Sequence, residues 1–82
     1  MDEVQVIEYF DGTKVWYKDD KAHREGGPAI ELANGDKIWK KDGKIHRDDG
    51  PAIEYVNGKK HWYIDGSELT ESEFKLISVL TR

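Results

Sequence analysis

Apolar and polar positions alternate over short runs of this chain, and each run breaks at a pair of turn-forming residues. Residues 7–17 (IEYFDGTKVWY), 30–40 (IELANGDKIWK) and 53–63 (IEYVNGKKHWY) share this layout. Period-two alternation around Asp-Gly or Asn-Gly is the pattern of a β-hairpin. Both residues of such a pair tolerate positive φ, so a two-residue type I′ turn is predicted at each. A second turn follows at Asp42-Gly43 and Asp65-Gly66, with the less favourable Asp19-Asp20 in the matching place. A third falls in 25–29 (EGGPA) and 48–52 (DDGPA). Proline cannot donate to a strand ladder, so Pro28 and Pro51 belong at strand starts or edges.

These runs repeat with a step of 23. Ile7, Ile30 and Ile53 coincide, as do Glu8, Glu31 and Glu54, Lys14, Lys37 and Lys60, and Trp16, Trp39 and Trp62. His23-Arg24 matches His46-Arg47, and Gly27-Pro28-Ala29 matches Gly50-Pro51-Ala52. Self-similarity at such a period signals a stacked array, here with repeats at 6–28, 29–51 and 52–66. A two-residue turn at Asn34-Gly35 sets Leu32 opposite Lys37 and Ile30 opposite Trp39. Directly paired residues share a face. One face is therefore expected to carry Ile30, Leu32 and Trp39 with their equivalents, and the other Glu31, Ile38 and Arg47. Trp39 should also lie opposite His46, and Trp62 opposite Leu69.

The pattern changes after Gly66. Thr70 followed by Glu73 is a capping box. Phe74, Ile77 and Leu80 then recur at helical spacing. A helix over about 70–81 is predicted, as a cap on the array or a lid over its apolar face. The expected fold is mainly β: an antiparallel meander of about three 23-residue hairpin repeats with one C-terminal capping α-helix, all in a single domain, 1–82.

Composition narrows the function. A chain of 82 residues has a thin core, and without cysteine it has no disulfide or thiolate site to reinforce it. No apolar run approaches the roughly 20 residues of a membrane span. The N-terminus, MDEVQVIEYF, lacks the basic start and apolar block of a signal peptide. A cytoplasmic protein with no membrane partner is expected. The formal charge of −4 makes nucleic acid an unlikely partner, although residues 36–47 hold five Lys and Arg.

Two features could carry binding. In His23-Arg24 and His46-Arg47, Arg offers a planar fork of donors for phosphate or carboxylate. The structural alternative, which the strand pairing favours, packs each His edge-on against its paired Trp and pairs Arg with Glu31 or the Asp48-Asp49 turn. The Trp row could be a stacking platform or simply core, with Trp16 the most exposed member. No metal is expected, because the three His fall on different strands. No cofactor or catalytic residue is expected either: Ser67, Ser72 and Ser78 have no His placed beside them, and no phosphate loop is present.

The period, the Asn-Gly turns and the aromatic positions of residues 6–66 resemble MORN repeats. More closely, 34–52 and 57–66 resemble short MORN-like repeats of bacterial and phage proteins, including antitoxin-type proteins. Where MORN units carry glycines in the second strand, this chain has His-Arg and an acid, so phospholipid binding is not carried over. The resemblance implies a non-enzymatic scaffold, a phage or mobile-element inhibitor of a host defence protein or toxin acting by occlusion in the host cytoplasm. The expected anchors on a protein partner are Trp16, Tyr17, Arg24, Trp39, Lys40, His46 and Arg47. Two alternatives stand beside this: a nucleotide sponge using Trp, His and Arg between repeats or at a dimer interface, and a structural module that pairs into a homodimer.

Overall fold

The computed structural model describes residues 4–80. The first repeat supplies β1 (Val4–Glu8), β2 (Lys14–Lys18) and β3 (Lys21–Ala22). The second supplies β4 (Ile30–Glu31), β5 (Lys37–Ile38), β6 (Lys40–Lys41) and β7 (Lys44–Ile45). The third supplies β8 (Ile53–Glu54), β9 (Lys60–Ile64) and β10 (Ser67–Leu69), and α1 (Glu71–Leu80) ends the described chain. The strands form a wholly antiparallel meander in the order β1-β2-β4-β5-β8-β9-β10. β3 pairs β2, and β6 pairs β7 in a short separate ribbon. The molecule is a slab 17 Å thick in its shortest dimension.

Two kinds of turn build it, and they sort differently from the sequence expectation. Asp19-Asp20, Asp42-Gly43 and Asp65-Gly66 each have positive φ at both positions, as a type I′ turn requires. The less favourable Asp19-Asp20 pair adopts this conformation too. At Asp11-Gly12, Asn34-Gly35 and Asn57-Gly58 only the glycine is left-handed. Here the acidic or amide side chain accepts the N–H two residues on, from Thr13, Asp36 and Lys59, each at 2.9 Å. Gly35 N–H bonds Leu32 C=O and Leu32 N–H bonds Asp36 C=O, both at 2.9 Å. The loop therefore holds three residues, a type I turn followed by a left-handed glycine.

That extra residue moves the register by one, and a one-residue slip turns every side chain to the other face. Ile30 lies opposite Ile38 and Glu31 opposite Lys37, so the expected Ile30–Trp39 pair does not form. One row runs Glu8, Lys14, Glu31, Lys37, Glu54, Lys60 across six strands, every neighbour of opposite charge. Opposite charges directly across a ladder contribute roughly 0.2–1 kcal/mol per pair. The adjoining row, on the other face, runs Ile7, Val15, Ile30, Ile38, Ile53 and ends on His61. Trp16 and Trp62 stand two residues beyond Lys14 and Lys60 in continuous strands, so they share the Glu–Lys face. Ile38 lies with the apolar row, contrary to expectation.

The other two expected pairs are present. Leu69 faces Trp62 in the β9–β10 ladder. The β6–β7 ladder continues through the His46 N–H, which donates to Trp39 C=O at 3.1 Å.

The core is small: Val15, Ala29, Ala52, Ile53, Phe74 and His23 are the buried residues among those described. The capping box holds α1 at its start, with Thr70 N–H donating to Glu73 and Glu73 N–H to the Thr70 hydroxyl, at 2.8 and 3.1 Å. The helix packs on β9 and β10. It buries Phe74 alone, while Leu76, Ile77, Val79 and Leu80 remain exposed. It is thus an end cap rather than a lid over the sheet. Thr81, the last residue of the expected helix, lies outside the described residues.

Candidate functional site

The repeated His-Arg pairs become locks between repeats. Arg47 lies with its guanidinium carbon 3.9 Å over the Trp39 ring. Its Nη1 donates to Pro51 C=O at 3.0 Å and to Glu54 at 2.9 Å, and its Nε donates to Asp49 at 2.8 Å. Arg24 lies 3.9 Å over Trp16, and its Nη1 donates to Pro28 C=O at 3.2 Å and to Glu31 at 3.3 Å. It is the guanidinium, not the imidazole, that covers Trp16 and Trp39. The planar cation gains from the ring face while its edge bonds the next loop. Gly27 and Gly50 leave the room for this: a Cβ there would stand 2.9 Å from Arg24 Cζ and 3.0 Å from Arg47 Cζ. The HR and GPA segments of each repeat are therefore one device.

His23 and His46 each tie their repeat to the type I′ turn of the next, while His61 Nδ1 lies 2.8 Å from Glu68. The Asp42 N–H donates to His23 Nδ1 at 3.1 Å, and the Asp65 N–H to His46 Nδ1 at 3.0 Å. A backbone N–H can only donate, so Nδ1 accepts and the ring proton sits on Nε2. At His46 that nitrogen lies 2.8 Å from Asp48. The matching nitrogen of His23 lies 3.9 Å from Glu25. Backbone bonds reinforce both joints: Gly43 N–H to Ala22 C=O at 3.0 Å and Gly66 N–H to Ile45 C=O at 2.9 Å.

Between the two His-Arg loops opens a cleft of about 510 Å³. Trp39, Lys40, His46 and Arg47 line one side, and Arg24 with Gly26 and Gly27 the other. Five of the seven residues expected to anchor a partner thus meet in one place. Trp16 lies in a neighbouring cleft of about 370 Å³ that shares Arg24, and Trp62 lines a third of about 330 Å³ beside the start of α1. The three clefts follow the sequence period. Tyr17 does not join them. It lies opposite Gln5 on the apolar-row face, and its hydroxyl is 3.0 Å from that of Tyr9. That hydrogen bond, with some burial, raises the Tyr17 phenol above its ordinary value of 10.0.

Sequence reasoning did not place Lys41 or Glu25 in the cleft, whereas the Asp48-Asp49 turn expected beside an arginine does meet Arg47 through Asp49. The segments EGGPA and DDGPA differ at the two positions that follow the arginine. No family model, curated protein or solved structure matches the chain.

Proposed function

We propose that this chain is a small non-enzymatic module that binds a protein and acts by covering part of its surface. The cleft at Trp39 is the observation that carries this reading. An aromatic floor with a rim of both charge signs suits a protein surface, where Trp and Arg are favoured anchors. The histidines and arginines nearest the cleft are engaged in joining repeats, which leaves none poised as a nucleophile or general base. The nucleotide reading is weaker for the same reason: Arg47 is already occupied by Asp49 and Glu54. The likeness to MORN-like repeats of bacteria and phages adds the setting, a host defence protein or toxin as the target.

A homodimer is the second reading. β1 is an edge strand of the described sheet, and Val4, Val6 and Ile7 on it are exposed. An open apolar edge invites strand pairing between copies.

Native mass spectrometry of the tagged protein drawn from its host's lysate tests these readings together, with K40E/K41E as the comparison. The expected result is a stoichiometric protein partner that the double substitution removes. A co-purifying nucleotide-sized mass, or a homodimer with no partner, would overturn the protein-binding reading.

A further inference from the structure

We infer that the cleft at Trp39 receives a carboxylate from an acidic segment of the partner protein, bound on the open Nε–Nη2 edge of Arg24. This rests on the protein-binding reading above and names the chemistry of that partner. The two arginines differ in one respect. Arg47 presents its Nε to Asp49 at 2.8 Å. The same step in the first repeat carries Gly26 in place of Asp49. Arg24 spends Nη1 on Pro28 and Glu31, as Arg47 does on Pro51 and Glu54, but its Nε and Nη2 meet no acceptor among the described residues. The chain thus shows in its own second repeat what the vacant edge of the first accepts.

Space and charge agree. Gly26 has φ +83, and a Cβ on it would meet nothing within 4 Å, so the region beside Arg24 is open. Arg24, Lys40, Lys41 and Arg47 line the cleft. Against them stand Glu25, Asp48 and Asp49, so four cations less three carboxylates leave one net positive charge. That balance suits a single carboxylate paired side-on with a guanidinium. It opposes a nucleotide polyphosphate, whose several charges would meet the three acids already there. The half-buried Arg24, held flat on Trp16, is pre-organised for such a pair.

The test is a titration of the isotopically labelled full chain, reading the Arg24 and Arg47 Nε–H resonances. The probes are the peptide acetyl-Gly-Asp-Asp-Gly-amide, its Asn-Asn analogue, and ATP. The Asp peptide should move Arg24 Nε–H and the Gly26 and Gly27 amides saturably while Arg47 stays still, and the Asn analogue should do nothing. R24K should weaken binding roughly tenfold, the worth of one charge-assisted hydrogen bond. K75Q, an exposed position on α1 that does not line the cleft, should leave it unchanged. If R24K disturbs the fold, D49G leaves Arg24 untouched and frees the Arg47 Nε, which should then move with the Asp peptide as Arg24 does. Equal movement of Arg24 and Arg47 in the unaltered chain, no saturable movement, an Arg47 that stays still in D49G, or stronger binding of ATP would each overturn the inference. A protein partner captured from lysate together with a silent peptide titration would sink this inference alone; loss of the partner itself would sink the reading beneath it.

Discussion

The two joints between repeats use the same parts to different completeness. At the second joint more of the polar groups have mates: His46 Nε2 has Asp48, Arg47 Nε has Asp49, and Glu54 bonds Arg47 at 2.9 Å. At the first joint the histidine is more deeply enclosed, its side chain 5 % exposed against 11 % for His46. The arginine there is the looser one, with a 3.3 Å bond to Glu31 and an Nε that meets no acceptor among the described residues. The contrast teaches that one sequence device can be closed by its own loop in one copy and left more open in another. The loops differ at two positions, Glu25-Gly26 against Asp48-Asp49.

The largest effect on this comparison should come from the tryptophans. Trp39→Ala removes the floor of the cleft and the ring beneath Arg47. A loss of about 3 kcal/mol is expected, with a smaller loss for Trp16→Ala, because Arg24 is held by fewer bonds. Urea denaturation of both variants measures it, and equal losses would break the contrast. Next come the glycines. Gly50→Ala and Gly27→Ala push a Cβ into the guanidinium and should each cost about 1–3 kcal/mol, similar in the two joints because the clearances are alike. Thermal melting reads this, and a neutral Gly50→Ala would mean the arginine is free to leave its ring.

The histidines should differ in the opposite sense from the tryptophans. His23→Ala orphans the Asp42 N–H in the more enclosed joint and should cost about 2 kcal/mol; His46→Ala should cost nearer 1 kcal/mol, since water can reach Asp65 more readily. Faster amide exchange at Asp42 and Asp65 would accompany the two changes respectively.

The smallest effect separates the three-residue turns. Thr13 holds the Asp11 carboxyl below its ordinary value of 3.8, through its backbone N–H first and its hydroxyl second. A lowered folded value means the contribution is complete above 3.8 and fades as pH falls through the lower folded value. Asn34 and Asn57 do the same work without a charge. The Thr13 amide resonance should therefore move in that acid range while that of Lys59 stays put, and D11N should abolish the movement. Parallel movement at Lys59 would contradict this.

The repeat period, the strand-rich meander, the capping box and the spacing of His-Arg against Gly-Pro-Ala could all be read from the residues themselves. The facing of the strands could not. It depended on whether Asn34-Gly35 closes a two-residue or a three-residue loop, and both satisfy the same dipeptide. The side-chain capture of Asp36 N–H by Asn34 decided it, and that single residue moved the tryptophans from the apolar row to the charged one. The cleft was half readable. Arg24, Trp39, Lys40, His46 and Arg47 were chosen for their chemistry, and the period brought them together. Tyr17 adjoins Trp16 in sequence, and strand alternation carries adjacent residues to opposite faces. The helix was placed well, but its spacing could not tell that only Phe74 finds a surface to cover.

The central claim is that the histidines join each repeat to the next by accepting a backbone N–H. A two-dimensional multiple-bond nitrogen spectrum of the histidine rings, in mildly alkaline solution, tests it most directly. His23 and His46 should both show an unprotonated Nδ1 with the proton on Nε2, and His23 should keep that form when His46 is replaced by alanine. A proton on Nδ1 of either ring would leave no acceptor for Asp42 or Asp65, and the account of how the repeats are joined would be wrong.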